Sequence, residues 1–223
     1  MRVILLGAPG SGKGTVAEGL RSALGFPKIS TGDLLREAVR DRTPLGLAAA
    51  SQMGRGGLVD DATVLALLRE RLARDDCRQG YTLDGFPRTL AQADSLDLIE
   101  PRGPEVVFDL RVSDETVLRR LTDRRTCPKC EAIYHLVNKP PKKPGLCDVC
   151  GAALIQRTDD TREVVVERLK TYHAKTKPLV ARYAARSVLH TIDGNGLAED
   201  VIGEVLRIMD AVLGGDGKAV KGR

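Results

Sequence analysis

Residues 7–15 read Gly-Ala-Pro-Gly-Ser-Gly-Lys-Gly-Thr, directly after the apolar run Val3-Ile4-Leu5-Leu6 and directly before a helical pattern. A loop of this composition lets the backbone wrap closely around a phosphate. Successive N–H groups point inward, and the following helix adds the positive end of its dipole. Lys13 supplies a mobile point charge. The general phosphate-loop pattern wants Ser or Thr immediately after the Lys, yet Gly14 intervenes and the hydroxyl arrives only at Thr15. Direct ligation of Mg²⁺ by that hydroxyl is therefore not expected. A plain glycine-rich turn does not account for so many small residues around one Lys, so the loop predicts a nucleoside triphosphate site.

A second constellation is Cys127-Pro128-Lys129-Cys130 with Cys147-Asp148-Val149-Cys150, two C-x2-C pairs separated by 16 residues. Four thiolates at this spacing predict a closed tetrahedral metal site built from two knuckles, with Zn²⁺ as the structural ion and iron as an alternative occupant of the same sulfurs. Metal would supply the folding energy that so short a module, poor in large apolar side chains, cannot draw from its own core. Two disulfides or a redox pair are the competing readings, disfavoured in a reducing compartment. Four protein ligands leave no open coordination position for catalysis. Cys77 has no partner at metal spacing and reads as a packed helix-end thiol. His135, His173 and His190 add nothing to the metal pattern and read as structural.

The elements that must position these groups form an α/β pattern. Short apolar runs at Val3–Leu6, Tyr81–Leu83, Val106–Leu110 and Val188–Ile192 alternate with helical patterns at about 12–24, 31–40, 60–74, 89–98, 113–123, 161–185 and 197–213. That alternation predicts a parallel sheet covered on both faces, with right-handed crossovers. Ser113, followed by Asp114 and Glu115, is a helix start signal. The segment 124–160 breaks the rhythm with its four cysteines and the run Lys139-Pro140-Pro141-Lys142-Lys143-Pro144, and reads as an inserted module. Residues 214–223 read as a frayed tail.

Composition narrows the function. The 223-residue chain has a formal net charge of +5, but its 30 acidic residues are interspersed with its 35 basic ones, so anionic small molecules explain the excess as well as nucleic acid does. Aromatics make up 3% and Trp is absent, which argues against stacking platforms for single strands. A nucleic-acid-binding reading would draw on Arg124, Arg125, Lys129, Lys139, Lys142 and Lys143 and predicts salt-sensitive polynucleotide affinity. It leaves Arg36, Arg88, Arg120 and Arg168 without a role. No long uncharged apolar stretch suggests a membrane anchor or secretory signal, so a cytoplasmic location is expected.

The phosphate loop is joined in order by Ile29-Ser30-Thr31-Gly32-Asp33-Leu34-Leu35-Arg36, Leu83-Asp84-Gly85-Phe86-Pro87-Arg88-Thr89 and Arg157-Thr158-Asp159-Asp160. With these motifs the chain closely resembles adenylate kinase from Met1 to about Leu213, and the cysteine insert is similar to the zinc-containing lid of many bacterial members. The resemblance implies a P-loop nucleoside monophosphate kinase fold with a five-stranded parallel sheet. It implies a core of 1–29, 60–123 and 161–223, an AMP-binding subdomain at 30–59 and a lid at 124–160. The implied reaction is ATP plus AMP giving two ADP with Mg²⁺, by a monomer that has no nucleic-acid or membrane partner.

The same resemblance assigns roles. Phosphoryl transfer requires two polyanions to be placed in line, neutralised and shielded from water. Lys13 and a ring of arginines suit this, since guanidinium forks match phosphate oxygens. Arg36 and Arg88 are implied on the AMP phosphate, and Arg120, Arg124, Arg157 and Arg168 converge on the phosphates. Arg157 and Arg168 also belong to the AMP set. Asp84, at the carboxyl end of a strand, is implied to orient the Mg²⁺ hydration shell; Asp33 either assists or complements a helix dipole. No catalytic base is required, because the AMP phosphate oxygen is already ionised.

ATP is expected on Gly10, Ser11, Gly12, Lys13, Gly14 and Thr15, with its adenine near Arg124, Ile133, Tyr134 and Gly196. Gly196 stands where the family often has Lys, a contact usually made by a backbone carbonyl, and GTP stays open as a donor. AMP is expected on Thr31, Arg36, the backbone of Gly57, Leu58 and Val59, the turn Gly85-Phe86-Pro87-Arg88, and Gln92, whose amide can both donate to and accept from an adenine edge. Related uridylate/cytidylate kinases tend to carry Ala at the place of Thr31.

Overall fold

A computed structural model describes residues 1–100 and 103–214. The tail expected beyond Gly214 lies outside the described residues. Five parallel strands form the sheet: β1 (Arg2–Gly7), β2 (Lys28–Ser30), β3 (Tyr81–Asp84), β4 (Glu105–Arg111) and, late in the chain, β7 (Leu189–Asp193), in the spatial order β2-β3-β1-β4-β7. Helices α1 (Lys13–Leu24), α2 (Thr31–Arg40), α3 (Pro44–Gly54), α4 (Asp61–Leu72), α5 (Leu90–Ile99), α6 (Asp114–Thr122), α7 (Arg162–Thr171), α8 (Leu179–Ala184) and α9 (Ala198–Gly214) connect and cover it. A short antiparallel pair, β5 (Arg124–Thr126) and β6 (Ile133–His135), roots the cysteine module.

The alternation of β1 decides the layering. Val3 and Leu5 point to one face and pack with Phe108, Leu110 and Ile192 against Val16 and Leu20 of α1 and Val205 and Met209 of α9. Ile4 and Leu6 point to the other face and pack with Leu83 and Val107 against Leu68 of α4, Leu96 of α5 and Tyr183 of α8. Both faces are therefore dry, as a parallel sheet demands. Ser113 caps α6 as expected, its hydroxyl accepting the Thr116 N–H at 3.2 Å.

Three features depart from the sequence-based expectation. Strand β2 is a three-residue edge strand with Ile29 as its one buried residue, too short to register as an apolar run. Helix α3 is unpredicted, because its Ala- and Gly-rich sequence carries little amphipathic pattern. Its start signals were nevertheless present: Thr43 accepts the Gly46 N–H, and Pro44 sits at the first position. The helix expected over 161–185 is broken into α7, a π-turn at Tyr172–Thr176, and α8. Pro178 lacks an N–H and its ring crowds the preceding turn, and the Lys177 N–H reaches back five residues to Tyr172 O at 2.9 Å.

At the amino ends of the strands lies a buried ionic network. Glu105 opens β4 with its side chain 3% exposed, ion-paired to Arg2 of β1 and, at 2.8 Å, to Arg186 after α8. Asp97 of α5 accepts from Arg2 (3.2 Å), Arg182 (3.0 Å) and Arg186 (3.3 Å). Removing Glu105 takes away the anion that Arg2 and Arg186 share and leaves Asp97 alone between them, so Glu105→Ala is expected to lower stability by about 3 kcal/mol. Turnover per folded molecule should stay unchanged, because the network lies at the opposite end of the sheet from the cavity described next. Urea unfolding alongside an activity assay measures both; a loss under 1 kcal/mol sinks the claim.

Candidate active site

At the carboxyl ends of the strands, where parallel sheets collect ligands, one cavity of about 1340 Å³ opens between the sheet, α2–α3 and the cysteine module. It exceeds the roughly 300–1,000 Å³ of an ordinary single-ligand cleft. Of the nucleotide-site residues read from the sequence, all line this cavity except Phe86, which is fully buried in the core behind the wall.

The phosphate loop leads from β1 into α1. Gly12 is the N-cap in left-handed conformation (φ 101°), and no side chain caps the helix, so the first-turn N–H groups face the cavity free of a protein side-chain acceptor. Lys13 Nζ donates to the carbonyls of Gly7 (2.9 Å) and Ala8 (2.7 Å) and lies 3.4 Å from Ser11 Oγ. Burial pulls its ammonium down to about 8; Asp84 opposes the shift, and Arg88, Arg168 and Arg124 reinforce it.

The arginines are held by groups that aim them without neutralising them all. Arg88 Nε donates to Gly85 O at 2.7 Å, and Thr31 Oγ1 donates to the same carbonyl at 2.8 Å. Arg124 grips Asp160 bidentately at 2.8 and 2.6 Å, and Arg168 reaches Asp160 at 3.2 Å and Asp159 at 3.0 Å. Asp160 is 0% exposed. Arg157 Nε donates to Thr126 Oγ1 at 3.0 Å. Burial, then neighbouring cations, depresses Arg88 and Arg157 to about 10 and also lowers Arg120; burial lowers Arg168 as well, against the opposing pull of Asp159.

Nine Lys and Arg side chains line the cavity against four carboxylates, Asp33, Asp84, Asp159 and Glu199. The excess equals the formal net charge of the whole chain, +5. A ligand carrying several negative charges is the partner this field selects.

Asp84, at the end of β3, faces the phosphate loop, and Asp33, in the first turn of α2, lines the same cavity. Asp84 Oδ2 and Lys28 Nζ approach Gly14 so closely that a Cβ there would lie 3.3 and 3.4 Å from them. Asp33 pairs with Arg36 and lies 3.5 Å from Lys28. Burial raises its carboxyl, but Arg36 and Lys28 outweigh that and hold it at about 2. These anionic oxygens beside the loop suit a hard cation and its water shell.

Gln92 is more committed than its sequence role implied. Its Oε1 accepts the Arg88 N–H and its Nε2 donates to Asp61, both at 2.7 Å, leaving one N–H and one lone pair for a ligand. Sequence reasoning missed Lys28, a lone Lys in a strand that no motif singles out, and His135. His135 lines the cavity while Nδ1 accepts the N–H groups of Val137 and Asn138, each at 3.1 Å. His190 sets its ring against Phe108, and His173, exposed, lies 3.0 Å from the Asp114 carboxylate. Cys77 is buried, with its sulfur 3.1 Å from Arg71 Nη1.

Cys127, Cys130, Cys147 and Cys150 bring four sulfurs within 4.8 Å of one another. A tetrahedral ion with metal–sulfur bonds of about 2.3 Å separates its ligands by about 3.8 Å, so the donor set fits. Cys147 is buried, yet the Tyr134 hydroxyl at 3.5 Å and the N–H groups of Cys150 and Val149 draw its thiol down to about 6, toward the thiolate a metal binds.

A family model described as adenylate kinase matches residues 5–188. An adenylate kinase of Caldicellulosiruptor saccharolyticus is 47% identical over 212 residues, 94% of this chain and 99% of the relative. That of Acidothermus cellulolyticus is 48% identical over 204 residues, covering 90% and 94%. That of Trichlorobacter lovleyi is 50% identical over 199 residues, covering 88% and 93%.

Lys13 gives a pH-dependent signature. Its ammonium titrates at about 8 in the free protein, and a phosphate beside it favours the charged form, so its pKa rises on binding. Binding of a nucleoside triphosphate should therefore take up protons between about pH 8 and 9, and affinity should fall as pH rises through that window. Calorimetry in two buffers of different ionisation enthalpy counts the protons. Lys13→Arg stays charged throughout and should abolish the uptake; equal counts in the two proteins refute the assignment.

Proposed function

The chain belongs to the adenylate kinase family, transferring the terminal phosphoryl group of ATP to AMP to give two ADP, and we propose the following division of labour among its residues. The reading is carried by one observation: the cavity gathers the phosphate loop, Asp84, Asp33 and the converging arginines around a volume larger than one ligand needs. The loop N–H groups and Lys13 hold the ATP phosphates. Arg36 and Arg88 hold the AMP phosphate. Arg120, Arg124, Arg157 and Arg168 stabilise the charge that spreads over the transferring group and both bridging oxygens.

The reaction uses Mg²⁺ with ATP, which neutralises phosphate charge, and Asp84 and Asp33 are the residues that would hold its water shell. No side chain needs to remove a proton. The ionised AMP oxygen attacks the terminal phosphorus, the bond to the bridging oxygen of ADP breaks, and the charge passes to that leaving group. Thr31, the Gly57–Val59 backbone and Gln92 select adenine in the AMP subsite at 30–59. Arg124, Ile133, Tyr134 and Gly196 frame the ATP adenine. Segment 124–160 acts as a lid that excludes water, and Zn²⁺ on its four cysteines makes it a rigid body.

We read the protein as a monomer, as the resemblance to long-lid adenylate kinases implies. A cytoplasmic location is supported by four cysteines arranged for a metal instead of disulfides. Among the described residues no helix is long and apolar enough to cross a membrane. The basic excess concentrated inside the cavity supports small anionic partners over a nucleic-acid polymer.

A coupled assay of ADP formation with ATP and AMP, UMP, CMP or GMP, beside an acceptor-free control, tests the assignment. AMP alone should support rapid transfer, and Arg88→Lys, which keeps charge but loses the fork, should cut kcat/KM by about 100-fold or more. Equal use of another acceptor overturns the roles of Thr31 and Gln92. For the metal, elemental analysis should find one Zn²⁺ per chain. Its removal should unfold the cysteine module at a lower temperature than the core, and unchanged melting of metal-free protein defeats the structural role.

A further inference from the structure

The two cysteine knuckles are built alike in backbone and differ at one telling position. In the second, Gly151 follows Cys150 with φ 71°, and its N–H donates to Cys147 O at 2.8 Å while the Cys147 N–H donates to Ala152 O at 2.9 Å. In the first, Glu131 follows Cys130 with φ 61°, with the matching bonds Glu131 N–H to Cys127 O at 3.0 Å and Cys127 N–H to Ala132 O at 2.9 Å. A left-handed backbone costs an L-residue with a Cβ what it does not cost glycine. The same turn therefore tolerates glycine once and carries a strained glutamate once.

The glutamate differs in what its side chain reaches. Glu131 Oε1 accepts from Arg40 Nη1 at 3.0 Å, across 91 residues of sequence. Arg40 ends α2, on the opposite side of the cavity mouth, where Asp41 at 3.4 Å and Glu37 at 3.7 Å also flank its guanidinium. Among the described residues this is the one ion pair that joins α2–α3 to the cysteine module.

We propose that Arg40 and Glu131 form a latch across the mouth of the cleft, positioning residues that favour the closed arrangement of the lid without touching a nucleotide. The inference rests on reading 124–160 as a lid. The backbone strain at Glu131 is present whether the lid is open or closed, so it weakens the module without affecting closure. The ion pair exists only when the two sides meet, so it acts on closure alone. Both side chains are about half exposed, so the effect is modest and screened by salt.

The test places fluorophores at Ser51 and Lys142 by non-cysteine chemistry, in full-length metal-loaded protein, and reads the closed fraction by energy transfer with saturating ATP and AMP. Arg40→Gln and Glu131→Gln should each lower the closed-to-open ratio about two- to fivefold, with the double variant no worse than either single one. The difference should vanish in about 1 M salt. KM for both nucleotides should rise while kcat does not fall, because opening becomes easier. Glu131→Gly separates latch from scaffold: it should raise the melting temperature of the module, by relieving the strained backbone, while lowering the closed fraction. Additive single effects, or a closed fraction indifferent to these substitutions, overturn the latch while the lid reading stands. A wild-type distance that no nucleotide changes overturns the lid reading and the latch with it.

Discussion

Unbalanced positive charge in a partly dry cavity is the constraint around which this molecule is arranged. Nine cations face four carboxylates there, and the depressed pKa values of Lys13, Arg88 and Arg157 report the cost of keeping those cations away from water and close to one another. The fold holds them with carbonyls and two acids: Gly7 and Ala8 for Lys13, Gly85 for Arg88, Asp159 and Asp160 for Arg124 and Arg168. Those groups fix direction without cancelling the field. Two phosphorylated substrates bring the missing negative charge, and because the donors are already aimed, little reorganisation remains at the moment of transfer.

A cavity built this way contributes nothing to stability, which has to come from elsewhere in the chain. The sheet supplies it by burying both faces: Val3 and Leu5 against α1 and α9, Ile4 and Leu6 against α4, α5 and α8. At the amino ends of the strands, Arg2, Arg182 and Arg186 meet Asp94, Asp97 and Glu105 in a network where charges do balance. The two ends of one sheet thus hold opposite solutions to buried charge. Parallel connectivity permits this, since every strand ends on the same side and the loops that carry chemistry gather there.

The cysteine module follows a related logic on a smaller scale. Its own core is little more than Cys127, Tyr134 and Cys147 with a few small neighbours, far too little apolar surface to fold unaided. Four sulfurs within 4.8 Å of one another offer a metal site in place of the absent core. Once rigid, the module can present Arg124 and Tyr134 to the cavity on a short two-stranded root and bring Glu131 within reach of α2. The sulfur cluster, the strand pair and the cross-cleft contact thus all lie on one small body.

What the sequence determined by itself is whatever depends on near neighbours along the chain. The phosphate loop, the Ser113 cap, the apolar runs and the paired C-x2-C spacings are local, because the backbone geometry or ligand set they encode is complete within a few residues. The resemblance carried by the ordered motifs extended that to the fold and to the arginines that line the cavity. Tertiary structure alone decided the rest. Strand β2 is a strand because β3 pairs with it; Ile29 by itself carries no such signal. The sequence pattern reads as one helix through Pro178; the π-turn that interrupts it appears only in the folded chain. Lys28 became part of the cavity, Gln92 was tied to Asp61, and Arg40 met Glu131, because each pairing joins segments distant in sequence. A side chain's partner across the fold is set by the path of the whole backbone, and no local pattern records that path.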